Sequence, residues 1–280
     1  MCAMPGSRRR FLSQAAAGAL ASSALTCGPA AAERPDGPGR VVRCAANLYQ
    51  QFDADHNREV PAEGYGGWQR AEIELDLAHT ALVSMHAWDW GTREMYPGWY
   101  RAVEYIPRAQ EIYRTVYPRL LAAVRSAGVT LFHVVGGGNY YQTLPGYRRA
   151  VELAGPPPPA PEIVPADASL EKLHALRRER VFVGPHNEAD VERGFAKLDF
   201  PDDARPVGDE GVAENGHQLL ALCKQHGVNH LLYFGFAINW CLLMSPGGMQ
   251  EMSQHGVMCS AIRQATTAVE NRDSARQQWA

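Results

Sequence analysis

The chain has 280 residues, 46% hydrophobic and 20% charged, a balance that fits one sizeable α/β core and excludes a disordered or collagen-like chain. Its net charge of −3 gives no electrostatic reason to expect nucleic acid or an anionic membrane as a partner.

The N-terminus reads as a targeting segment. Ser7-Arg8-Arg9-Arg10-Phe11-Leu12 matches a twin-arginine signal, followed by a weakly apolar stretch over residues 13–26 and an Ala30-Ala31-Ala32 cleavage site. Residues 1–32 are therefore expected to be removed. The mature chain is expected to fold before export and to work in the periplasm or outside the cell, with no membrane contact after signal removal. Cys44, Cys223, Cys241 and Cys259 remain; Cys223 and Cys259 fall on core elements and are expected to stay reduced.

Residues 33–40 form a Pro/Gly-rich linker, and residues 41–77 show little periodicity and read as an N-terminal arm, so 33–70 are assigned to linker and arm. The main domain is set at 71–271, with a tail over 272–280. Thr80 to Met85 is the first convincing strand. A helix over residues 112–127 starts or breaks near Pro118, and a second strand over 129–135 stops at Gly136-Gly137-Gly138. A proline-rich loop at 155–161 is followed by a helix over 170–178, a short strand at 181–183 and a helix over 188–197. The helix over 214–226, a strand over 231–234, a helix over 249–255 and a strand near 257–261 complete the pattern. Alternating strands and helices predict an α/β fold, three-layer α/β/α with a Rossmann-like, mostly parallel sheet. Such sheets bind ligands at the carboxyl ends of their strands, which would gather Met85 and His86, Val135, and the turn from Gly235 to Cys241.

Cys241 sits where a strand turns into a helix. The positive end of a helix dipole and nearby N–H groups would favour its thiolate, and the same N–H groups could hold an oxyanion. A buried structural cysteine is the alternative.

The run from Glu214 to Leu242 resembles the C-terminal half of the isochorismatase-like cysteine hydrolases, a family that includes nicotinamidases and carbamoyl amidases. The features that carry the resemblance are a helix, Gly227-Val228, an apolar strand, Gly235, a short turn and Cys241; then a helix, Gly256, a strand and Ala265-Thr266-Thr267. The resemblance implies amide or imide C–N hydrolysis through a Cys241 thioester, and a cis peptide at Ala237–Ile238. The family also needs an Asp that takes the thiol proton and a Lys that stabilises negative charge. His86 occupies the Asp place, with Asp89 three residues on; either could serve as base. Lys197 is the candidate lysine, with Arg205 as a substitute. Backbone N–H groups around Ala237, Ile238 and Cys241 would form the oxyanion turn. A catalytically impaired relative that binds a small molecule or partner is the alternative, because His86 departs from the pattern and the lysine is unanchored.

No metal ligand set and no cofactor are expected; the glycines at 136–138 lack a phosphate-binding pattern and more simply give backbone room near a ligand. Trp88, Trp90, Tyr140 and Trp240 are expected to line a pocket for a small-molecule substrate. Glu104 and Arg108, four apart, are placed to pair. By the resemblance a second copy of the chain is a candidate partner, since relatives commonly assemble as dimers or tetramers.

Overall fold

The computed structural model describes residues 40–277, so the signal over 1–32, most of the linker and the end of the 272–280 tail lie outside the described residues. A two-stranded antiparallel hairpin comes first: β1 (Val41–Gln50) pairs with β2 (Gly67–Asp76), from Val41 opposite Asp76 to Gln50 opposite Gly67. The expected N-terminal arm, read as having little periodicity, is a hairpin, and the boundary set at residue 71 falls inside β2. The reason is visible in β2, where Ala71, Ile73 and Leu75 alternate with Arg70, Glu72 and Glu74 at the period of a strand.

The main body is a five-stranded parallel sheet in the order β5-β4-β3-β6-β7, made of β3 (Thr80–Met85), β4 (Thr130–Val134), β5 (Gly211–Ala213), β6 (His230–Gly235) and β7 (Met258–Thr266). β3 is buried along its whole length, as a central strand covered on both faces must be, which is why it reads as a continuous apolar run. Alternation along the strands separates two cores. Leu82 and Phe234 face a core rich in aromatics, with Trp90, Trp99, Tyr113, Tyr117 and Phe236. Val83, Met85, Leu231 and Tyr233 face the other, with Phe132, Leu219, Leu222 and Met252. The fold is thus a mixed α/β architecture with helices on both faces of the sheet.

Helices α1 (Pro97–Ala102), α2 (Ile106–Thr115) and α3 (Tyr117–Ser126) connect β3 to β4. The helix expected over 112–127 is two helices, because Pro118 occupies the first turn of α3, where a missing N–H costs nothing. α4 (Pro145–Ala154), α5 (Ala168–Arg180) and α6 (Glu188–Phe195) lie between β4 and β5. Residues 181–183 form turns rather than the expected strand. α7 (Gly216–His226) is capped at one end by Asn215, whose side chain accepts from the Gln218 N–H at 3.0 Å, and at the other by Gly227 in the left-handed region. The last helix is α8 (Met249–Gln254). Glu104 and Arg108 do pair, at 2.8 and 3.0 Å. Arg108 also donates to the Ala268 carbonyl at 2.9 Å, and Glu104 accepts from the Glu270 N–H at 2.8 Å, which fastens α2 to the chain beyond β7.

Candidate functional site

The chain adds β4 and then β5 on one side of β3, then β6 and β7 on the other. The order reverses between β3 and β6, and the crevice at that switch point is where open α/β sheets bind ligands. Met85 pairs with Gly235 across it, so the segments carrying His86 and Cys241 leave the sheet side by side.

β3 is followed directly by His86, whose backbone adopts a positive φ of 50° and whose N–H donates to the Val134 carbonyl at 2.8 Å. The imidazole stacks on Trp88 with centroids 4.5 Å apart and planes 12° from parallel. Gly136 makes room for it: a β-carbon there would lie 3.1 Å from His86 Nε2. The ring is 6% exposed, and its Nδ1 is buried with no hydrogen-bond partner. Burial lowers its pKa to about 4, so the imidazole is neutral at ordinary pH.

A cleft of about 480 Å³ opens at this edge, lined by His86 and Trp88 after β3, Val135, Gly136 and Gly137 after β4, Tyr141, then Glu214 and Asn215 after β5, and Pro246. The Trp88 indole N–H donates to the Tyr140 hydroxyl at 3.0 Å, which holds the ring in place. Tyr141 donates to Glu214 Oε2 at 2.8 Å. Gln218 grips the same residue twice, its Nε2 donating to Glu214 Oε1 at 3.2 Å and its Oε1 accepting the Glu214 N–H at 2.9 Å. Burial first, and the hydrogen bond to the carboxylate second, push the Tyr141 phenol above its ordinary value.

Of the aromatic residues expected in the pocket, Trp88 lines the cleft. Trp90 is buried in the aromatic core against Tyr105, Tyr113 and Phe236. Tyr140 stands behind Trp88, and Trp240 packs on Tyr105 and Phe182. Gly136 and Gly137 face the cleft.

Cys241 is the fourth residue of a π-helical turn, Ile238–Leu242, that comes after β6. Five residues align few peptide dipoles, so the electrostatic help expected from a helix start is small. Burial raises the thiol pKa, while hydrogen bonds from the Ser245 side chain and the Ala237 backbone act in the opposite sense. The sulfur is close enough to Tyr105 for its charge to raise that phenol, after burial. Cys241 is not among the residues lining the cleft. All four cysteines of the described chain are free.

The oxyanion turn is partly committed. The Ile238 N–H donates to the Thr267 carbonyl at 2.8 Å, and the Ala237 carbonyl accepts from Trp240 and Leu242. Asn239 clamps Val269 with two hydrogen bonds of 3.0 and 2.8 Å, fixing this turn to the chain beyond β7. The cis peptide is Phe236–Ala237, one bond before the expected Ala237–Ile238, because Gly235 still pairs as the last residue of β6 and the turn begins at Phe236.

Asp89 is exposed, its carboxylate accepting the Gly91 N–H at 2.9 Å in a local turn. Lys197 is exposed just beyond α6. Arg205 is engaged by Asp199 at 2.9 Å. The segment entering α7 carries Glu214 and Asn215, which line the cleft. Neither was expected at the site, since β5 has only three residues and gives no strand pattern to mark the turn after it; the one signal was an Asn placed to cap a helix.

No family profile and no curated protein matches the chain. Among solved structures it is similar to a cysteine hydrolase from Pseudomonas syringae pv. phaseolicola 1448A, with 11% identity, a TM-score of 0.38 and coverage of 71% of this chain and 77% of that one. It is also similar to an isochorismatase from Pseudomonas putida KT2440, with 16% identity, a TM-score of 0.35 and coverage of 70% and 76%. An isochorismatase family protein from Desulfovibrio vulgaris subsp. vulgaris str. Hildenborough gives 18% identity, a TM-score of 0.36 and coverage of 71% and 87%. Similarity at these scores carries no argument about chemistry.

Proposed function

We propose that the chain is an exported, isochorismatase-like α/β protein that binds a small molecule in the cleft beside His86, without cysteine turnover. The observation that supports this reading is the composition of the cleft: a neutral imidazole, Trp88, Tyr141, Glu214 and Asn215 line it, with neither a Lys or Arg nor the Cys241 thiol among the lining residues. Thiol acyl transfer needs a thiolate and a cation or donors for the oxyanion. Here burial keeps the thiol protonated, Ile238 has donated its N–H elsewhere, and the one charged side chain lining the cleft is a carboxylate.

Cysteine hydrolysis of a C–N bond is the second reading. It is favoured by one feature, the position of Cys241 on the turn after β6 with Ser245 and Ala237 hydrogen bonds that draw the thiol down. In that reading His86 or Asp89 takes the thiol proton, Lys197 supplies charge, and the turn at Ala237 and Ile238 meets the substrate.

Ligand-observed NMR with small aromatic and heteroaromatic amides separates the two. Binding is expected to be saturable and equal in the wild type and in Cys241→Ser, to be lost in Trp88→Leu, and to give no product. Turnover of any amide that Cys241→Ser abolishes would establish the second reading instead.

A further inference from the structure

Glu214 is held in place by neutral groups alone. Tyr141 and Gln218 donate to its two oxygens, and the Tyr147 phenol, raised by burial and then by Glu214, joins the same group. No ion pair reaches Glu214 among the described residues, although the acidic side chain is only half-exposed and faces the cleft. The contrast with Glu210, at the other end of β5, is direct: that carboxylate is met by Arg125 and His133. A positioned carboxylate without a counter-charge is a site prepared for a cation. The same cleft supplies a second, independent feature. His86, only 6% exposed, carries an unpartnered Nδ1 and is stacked on Trp88, and both rings line the cleft without adding a charge.

We infer that the cleft selects a flat, cationic nitrogen group, an amidinium, guanidinium or protonated heteroaromatic amine, with its N–H groups on Glu214 and its plane against the Trp88–His86 stack. This rests on the reading of the cleft as a ligand site and names the chemistry of its ligand. It also assigns Glu214 as the specificity-determining residue and Tyr141 and Gln218 as its positioning residues. Binding is noncovalent, and no bond is made or broken.

The test is isothermal titration of the full chain with three probes of one shape: benzamidine (cationic), benzamide (neutral) and benzoate (anionic). Benzamidine is expected to bind about 10-fold more tightly than the other two, the margin of one charge-assisted contact. Glu214→Gln should erase that preference, whereas Glu214→Asp, which keeps the charge, should retain it. Stronger binding of benzamide or benzoate, or a preference for benzamidine that survives in Glu214→Gln, would overturn the inference while leaving the cleft a ligand site. Failure of all three probes to bind would remove the ligand site itself, and this inference with it.

Discussion

Gly235→Ala is expected to remove about 3 kcal/mol of stability and to disorder the switch point. Gly235 closes β6 opposite Met85 with φ at 133°, a conformation that L side chains rarely adopt. A β-carbon there would lie 2.1 Å from the Met85 carbonyl oxygen. That oxygen belongs to the backbone of a fully buried strand, so it has nowhere to go. The two segments leaving the sheet would have to separate, one carrying His86 and Trp88 and the other Cys241. Urea unfolding should show a lower midpoint, and probe binding in the cleft should weaken in the same variant. A stability within about 0.5 kcal/mol of wild type would show that β3 and β6 are not in the close contact on which the site depends.

Glu210→Gln is expected to cost about 3 kcal/mol near neutral pH. The Glu210 carboxylate accepts from Arg125 at 2.7 and 3.0 Å, from His133 Nε2 at 2.9 Å and from the Val207 N–H at 3.0 Å. Burial alone would raise its pKa, but the His133, Arg125 and Val207 hydrogen bonds prevail and hold it at about 2. The substitution removes the charge and one of two acceptor oxygens, so the wholly buried His133 ring and the partly buried Arg125 are left with the one that remains. A folded pKa below the unfolded value of 4.5 means that the stabilisation is complete above pH 4.5 and is lost as the pH falls toward 2. The gap in urea midpoint between wild type and variant should therefore be full at about pH 7 and smaller at about pH 3. A gap that stays constant, or grows toward acid, would contradict this picture of the network. Because Glu210 stands directly before β5, the same variant should loosen the strand that delivers Glu214 to the cleft.

The central strands were legible because burial on both faces leaves an uninterrupted apolar run, as in Thr80–Met85 and in the strand before Gly235. Helix α7 was legible from its apolar spacing and from Gly227, which a left-handed cap favours. The hairpin was not, because only β2 alternates cleanly and its partner lies sixteen residues of loop away, from Gln51 to Gly66, beyond any local turn signal. The site was legible in part. Strand ends pointed to His86 and to the glycines at 136 and 137, which do face the cleft. Spacing could not tell that Trp90 turns into the aromatic core, since its neighbour two positions earlier turns to the cleft from the same loop. It could not tell that Asp89 closes a turn with Gly91 or that the Ile238 N–H is taken by Thr267, because both partners are set by tertiary contact or local turn geometry. Glu214 was hidden for a simpler reason: it comes after a strand of three residues, too short to carry a period.

The choice between binding and hydrolysis turns on whether the Cys241 thiol is a nucleophile, and the pH dependence of its alkylation by iodoacetamide, in the wild type and in His86→Ala, tests that most directly. Cys44, Cys223 and Cys259 replaced by serine or alanine would leave one thiol to report. A binding cleft without cysteine turnover predicts slow labelling that rises only above the ordinary thiol range and is unchanged in His86→Ala, because burial protects the protonated form and His86 stacks on Trp88 rather than serving the sulfur. Rapid labelling near neutral pH that disappears with His86 would contradict it, and would favour the cysteine hydrolase reading.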